Sequence, residues 1–259
     1  MKDFCFCGSV ALALFLFIFL LPGRAFATHP LITDDAYTQG RGNWQVEYDT
    51  EYSMNSDDFP GLEARQEVYQ LKSIITYGAT RDSDIALTVP YWFLFSAGLG
   101  ANGISDVSFE YKYRFYEEGH RFLAVKPGFS LPTADSSKGL GAGRPNYWLV
   151  LIGTFEPKQD LRFHANAEVL YQPNTQGYIE KTWSLTFATE YRFAEKTEVV
   201  GNIGASNDPG TVSLTPIDFV LAGLVYSPAR GFDVDGGVKA GFNRPGDNYG
   251  LLFGLTKRF

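Results

Sequence analysis

Between residues 43 and 54 the chain reads NWQVEYDTEYSM, with Trp44, Val46, Tyr48, Tyr52 and Met54 on one parity and Gln45, Glu47, Asp49, Glu51 and Ser53 on the other. Alternation of this kind gives the two faces of a β-strand different chemistry. Ile85, Leu87, Val89, Tyr91, Phe93 and Phe95 repeat it against Asp84, Ala86 and Thr88. So do Val107, Phe109, Tyr111, Tyr113 and Phe115 against Asp106, Ser108, Glu110, Lys112 and Arg114, and Leu161, Phe163, Ala165, Ala167, Val169 and Tyr171 against Arg162, His164, Asn166 and Glu168. Similar strands are predicted over 181–193, 232–242 and 249–259, and less regular ones over 68–77, 122–131, 147–155, 197–205 and 217–226. The pattern predicts an all-β chain of about twelve strands.

The connections alternate in length. MNSDDFPGLEA, SAGLGANG, PTADSSKGLGAGRPN, QPNTQGYIE and NDPGTVSLT are long; GATRDS, EEGH, PKQ, AEK and PARG are short. Long loops at one end and tight turns at the other, in an even-stranded meander, describe a transmembrane antiparallel up-and-down β-barrel of the bacterial outer membrane. Strand direction then sorts the aromatic residues into two belts. Trp44, Tyr77, Phe115, Phe155, Phe193, Tyr226 and Phe259 fall at the periplasmic end, and Tyr52, Phe93, Phe95, Tyr147, Tyr171, Trp183, Phe242 and Tyr249 at the other. Two aromatic girdles match the two interfaces of a bilayer.

In a soluble barrel the apolar face would point inward, but about eight strands already give a well-filled interior, so a wider one would leave a lumen that side chains cannot fill. The expected arrangement is the inverse, with apolar residues toward lipid and charges toward a wet lumen. The expected lumen-lining set is Glu47, Asp49, Glu51, Lys72, Asp84, Asp106, Glu110, Lys112, Arg114, Lys126, Arg162, His164, Glu168, Glu190, Arg192, Asp233, Asp235 and Lys239. Either these charges pair across the barrel and narrow it, or they segregate and tune a water-filled path. Pairing is the favoured expectation, because unpaired charges in a confined lumen are costly.

Residues 1–27 read as a cleaved secretory signal peptide: Lys2, an apolar run over 10–21, and the Ala25-Phe26-Ala27 cleavage pattern. Residues 28–42 follow as a short segment, either periplasmic or tucked inside as a plug, and residues 43–259 form the barrel. Cys5 and Cys7 both lie in the leader, which excludes a disulfide framework or thiol chemistry from the expected mature chain. The full chain has a formal net charge of −7 and no basic run, a poor match to nucleic acid.

The stretches HPLITDDAYTQGRGNWQVEYDTEYS, YGATRDSDIALTVPYW, GISDVSFEYKYRF, KPGFSLPTAD and GLLFGLTKRF together resemble the outer-membrane family named for the meta-pathway of phenol degradation. The resemblance spans almost all of residues 28–259, and Ala134 stands where the family pattern often has Gly. It implies a transporter-like barrel for uptake of small apolar or aromatic solutes, embedded in outer-membrane lipid and lipopolysaccharide. The ending with Phe253, Leu255, Lys257 and Phe259 in phase also resembles the terminal strand read by the barrel-assembly machinery.

Other chemistry is weakly represented. His164 reads as a lumen hydrogen-bond partner beside Arg162 and Glu168, and His120 as a solvated turn residue. His29 lies near Asp34 and Asp35 without a second nitrogen ligand, so no metal site is expected, nor any cofactor. GLGAG at 139–143 precedes a strand instead of a helix amino-terminus and reads as a loop, not a phosphate cradle. Asp208-Pro209-Gly210 and Pro245-Gly246-Asp247 are turn chemistry, and Pro90 and Pro127 mark strand positions where a ladder bond must be missing. Function classes left open are a solute channel, a lumen-closed barrel with a structural or surface-interaction role, and an outer-membrane lipid-modifying enzyme built on a paired serine and histidine.

Overall fold

The computed structural model describes residues 29–59, 62–96, 99–173, 180–207, 218–242 and 249–259. The leader and the turns at Asp208-Pro209-Gly210 and Pro245-Gly246-Asp247 lie outside them. One antiparallel sheet contains β1 (Trp44–Phe59), β2 (Leu62–Gly78), β3 (Ser83–Ser96), β4 (Leu99–Ile104), β5 (Ser108–Glu118), β6 (Arg121–Ser130), β7 (Asn146–Lys158), β8 (Leu161–Tyr171), β9 (Lys181–Ala194), β10 (Thr197–Ser206), β11 (Phe219–Ala229), β12 (Phe232–Gly241) and β13 (Tyr249–Arg258). β1 pairs with both β2 and β13, and β2 pairs with β3, so the sheet closes on itself. β4 and β5 lie end to end along β3, β4 against Tyr91–Ser96 and β5 against Ser83–Thr88. They make one stave, and the barrel has twelve.

Burial reverses the order of a soluble protein. Leu149, Leu151, Leu185, Phe187, Ile203, Val238, Leu251 and Phe253 are exposed, while Gln45, Glu47, Thr154, Arg162, His164, Glu190, Asn202, Asp233 and Asp235 are buried. Alternation along each strand sends one set out and the other in. Of the expected girdle, Trp44, Phe93, Phe115, Phe155, Tyr171, Trp183, Phe193, Phe242 and Tyr249 are exposed. Tyr52 and Tyr77 are half-buried because each leans on a neighbouring ring, Tyr69 and Trp44 respectively, with centroids 4.6 Å apart. Phe259 is also half-buried and borders the inner cavity, with Lys257 Nζ 5.7 Å from its ring centre.

Two local features depart from the sequence pattern. The expected long connection after β1 is mostly strand: β1 runs to Phe59 and β2 starts at Leu62, paired throughout. β4 takes up most of the SAGLGANG connection and Ile104, and the chain is not strand over 105–107, so β5 starts two residues inside the expected strand. Both prolines sit at ladder interruptions. β3 exchanges β5 for β4 beside Pro90, and the β5–β6 register skips from Glu110↔Gly128 to Tyr113↔Val125, omitting Pro127.

Candidate functional site

Residues 29–42 lie inside the barrel, bonded to strands on several sides. His29 Nδ1 pairs with the Asp235 carboxylate on β12. Pro30 is buried where Gly223 and Gly237 leave room; a Cβ on Gly237 would come within 3.1 Å of it. On β10, Asn202 Oδ1 accepts from Ile32 N (2.7 Å) and Thr33 N (3.0 Å), and Asn202 Nδ2 donates to Thr33 Oγ1 (2.8 Å). Ala36 N donates to Thr154 Oγ1 at 2.9 Å, and Thr154 Oγ1 lies 2.9 Å from His164 Nδ1. Tyr37 donates its hydroxyl to Glu156, and Gln39 N donates to the Asp84 carboxylate at 3.0 and 3.1 Å.

Two apolar clusters bed the segment. Leu31 packs with Ala188, Val200, Leu221, Val225 and Leu252, and Ala36 with Phe122, Ala124, Val150 and Ile152. These inward apolar residues explain why several strands look irregular in sequence. β7 and β10 meet lipid on one face and this segment on the other, so they read as nearly continuous apolar runs.

The inner charges are extensively paired. Asp34 receives Lys112 and Lys126, each at 2.9 Å, and Lys126 also lies 3.2 Å from Glu110. Arg162 joins Glu190 (2.6 Å) and Glu198, and Glu190 lies 3.6 Å from His164 Nε2. Lys239 pairs with Glu51, and Arg258 with Asp233 at 2.6 Å. Arg114 binds Asp82 (2.6 Å) and Glu117 (3.0 Å) at the short-turn end. Glu47 accepts from Gln45 Nε2 at 2.7 Å, and Asp49 faces Lys72 across the β1–β2 register. Glu168 is half-buried on β8, and Asp106 binds loop backbone instead of facing the other charges. Arg192 is exposed, bonded to Glu198 opposite it in the β9–β10 register near the short-turn end.

Electrostatics differ sharply within the segment. Burial would raise the Asp34 carboxyl, but the Lys112 and Lys126 ammoniums outweigh it and hold Asp34 well below the usual carboxylate range. Burial raises Asp35, opposed by Lys112 and reinforced by the charge of Asp34. Burial would lower His29, yet its bond to Asp235 and the nearby Asp49 charge leave it raised. Burial and the bond to Glu156 push Tyr37 upward.

His29 thus engages Asp235 and not the neighbouring acids, and His164 engages Thr154 and Glu190, not Glu168. His120 is exposed in a turn, and no histidine among the described residues bonds a serine. Asn202, Thr154, Gln45, Glu198 and Arg258 were not among the expected site residues. The available signal was a polar side chain on the inward parity of an apolar strand, as Asn202 is between Val200 and Gly204.

The segment leaves a cavity of about 640 Å³ along the inner faces of β1, β2, β3, β5 and β6. Its walls mix both signs of charge, with Glu47, Asp49 and Glu51 on one strand and Lys72, Lys112 and Lys126 on others. That arrangement can admit water and a small solute.

Solved structures share this architecture. The COG4313 outer membrane channel from Pseudomonas putida F1 is 12% identical, with a TM-score of 0.68 over 87% of this chain and 98% of that one. The NanC porin is 10% identical, with a TM-score of 0.60 over 82% and 98%. The Pseudomonas putida toluene transporter TodX is 8% identical, with a TM-score of 0.51 over 92% and 98%. No curated protein sequence matches the chain. The barrel is that of a Gram-negative outer-membrane protein. A family model described as "Putative MetA-pathway of phenol degradation" matches residues 28–259, and the chain belongs to that family.

Proposed function

We propose that this barrel carries small apolar or aromatic solutes passively across the outer membrane, with no chemical step and no cofactor. The observation that carries the reading is the cavity of about 640 Å³ left beside residues 29–42 inside the barrel. The family description and the toluene transporter among the structural neighbours support the solute class. In this reading residues 28–42 are a resident plug that narrows the pore, and the charged inner face lines the path. Outer-membrane lipid and lipopolysaccharide surround the exposed belt, and the assembly machinery receives the chain through β13.

The dense pairing of Asp34, Lys112, Lys126, Arg162 and Glu190 favours a second reading, a closed barrel with a structural or surface role. Single-channel conductance in a planar bilayer, with and without toluene, separates the two. Discrete open steps altered by the solute support transport. Silence from folded protein that also fails to speed toluene entry into cells supports the closed barrel.

A further inference from the structure

Asp235 on β12 and Asp49 on β1 share one rung of the wall. Each is the register partner of Gly254 on β13, the strand between them, which sets their Cα atoms roughly 10 Å apart. Gly254 has no room for a side chain, because His29 Nδ1 and both Asp235 oxygens fill the space a Cβ would take. His29 therefore lies over the glycine, with an aspartate on the strand to either side.

Both carboxylates are buried, Asp235 at 3% exposure and Asp49 at 8%. His29 engages one Asp235 oxygen; the other, Oδ2, has no hydrogen-bond partner among the described residues, and neither has Asp49 Oδ1. Lys72 faces Asp49 across the β1–β2 register without bonding that oxygen. Buried carboxylate oxygens are rarely left without a donor, and two on one rung call for a cation with several.

The chain itself can supply one. His29 is fixed by Asp235, and Pro30 is seated where Gly223 and Gly237 leave room, so the α-nitrogen of Thr28 stands no farther than about 5 Å from the His29 Cα. The Ala25-Phe26-Ala27 pattern places the expected cut immediately before Thr28, and the family match begins at the same residue. Uncut, the chain would have to carry the apolar run of residues 10–21 away from His29 past Glu47, Asp49 and Lys72. Leader removal is a hydrolysis in which a leader peptidase adds one water across the Ala27–Thr28 bond. The Ala27 carbonyl becomes a carboxylate and departs with the leader, and the Thr28 nitrogen takes both protons of the water and becomes an ammonium.

We propose that this cut makes the cation the lumen lacks: the α-ammonium of Thr28 bridges Asp49 Oδ1 and Asp235 Oδ2, and residues 28–42 seat in the barrel only after the leader is gone. Processing is thereby a folding signal as well as a release from the inner membrane. The inference goes beyond the transport reading and holds for an open or a closed barrel alike.

The test uses the barrel assembled in cells from the full-length chain and purified from outer membranes, its first residue read by intact mass. Acetylation of the α-amine by acetic anhydride is followed against pH by mass spectrometry of the amino-terminal peptide, in folded and in urea-unfolded protein. A start at Thr28, a folded amine at least tenfold slower to react than the unfolded one, and a midpoint above the ordinary value of about 8 support the proposal. Asp49→Asn with Asp235→Asn should return both quantities toward their unfolded values. If that double variant lacks the heat-modifiable gel migration of a barrel, one glycine inserted between Ala27 and Thr28 serves instead. The insertion should speed hydrogen exchange at residues 31–36 in the wild-type barrel and add nothing further in Asp235→Asn alone. A start at any other residue, an amine as reactive folded as unfolded, or an insertion equally harmful in both backgrounds overturns the proposal.

Discussion

Asn202 holds Thr33 by both ends of one amide: its oxygen accepts from Thr33 N at 3.0 Å, and its nitrogen donates to Thr33 Oγ1 at 2.8 Å. Both residues are buried, and the same oxygen also serves Ile32 N. Replacement by leucine strands the buried Thr33 N–H, at roughly 1–3 kcal/mol, and takes the acceptor from Ile32 N as well. Asn202→Leu is expected to speed hydrogen exchange of residues 31–36 and to raise single-channel conductance. The β9–β11 ladder around residue 202 is expected to keep its protection.

Asp34 is the electrostatic counterpart. Asp34→Asn leaves Lys112 and Lys126 with less counter-charge inside the lumen, and removing one partner of a buried ion pair costs about 3–5 kcal/mol. A glutamine at Lys126 combined with the asparagine at Asp34 should recover part of that loss. The heat-modification midpoint of the single and double variants reads both effects, and a double no more stable than the single would deny the coupling.

How much of this was legible in the chain differs by region. The inside-out character of β1 and β8 could be read directly, because lipid and water impose opposite demands on alternate positions such as Tyr48 and Glu47. The segment at 28–42 could not be placed, since HPLITDDAYTQ has no strand period and its bonds to Asn202, Thr154 and Lys126 join distant parts of the sequence. The same contacts hid the character of Val200 and Ile152, whose inward apolar side chains have meaning only once Leu31 and Ala36 lie against them. β4 escaped notice because glycine-rich LGANGI carries no alternation.

The inside-out reading predicts an asymmetry between outward and inward positions. Leu151 on β7 is 52% exposed, and an arginine there at the bilayer midplane costs about 2–4 kcal/mol. Gln70, which borders the inner cavity, should accept arginine with little loss. Equilibrium unfolding of the two variants in lipid vesicles measures the difference; equal losses would contradict the assignment of faces.

His29 should make the seating of the segment depend on pH. It faces Asp235 on β12, Asp49 on β1 and Lys72 on β2, and its folded pKa is raised above its unfolded value. The pair therefore contributes fully below the unfolded pKa of about 6.5, and that contribution disappears as pH rises through the higher folded value. Asp34 behaves oppositely: its contribution is present above the unfolded carboxylate pKa and fails only in strong acid. Exchange at residues 31 and 32, corrected for intrinsic rates, is expected to accelerate as pH rises above about 6.5, and His29→Gln to abolish that dependence.

Phe259 closes the barrel twice over. Its backbone N donates to Trp44 O at 2.9 Å and its carbonyl accepts from Trp44 N at 3.4 Å, joining the last residue to the first strand. Phe259→Ala keeps those bonds and removes only the ring, so any assembly defect reports recognition of the side chain and not loss of the seam. If the assembly machinery reads this residue, the alanine variant should accumulate unfolded in the periplasm of cells. The same purified variant should refold in detergent with nearly wild-type stability, since the ring is only half-buried. A variant equally impaired in both settings would assign Phe259 to barrel closure alone.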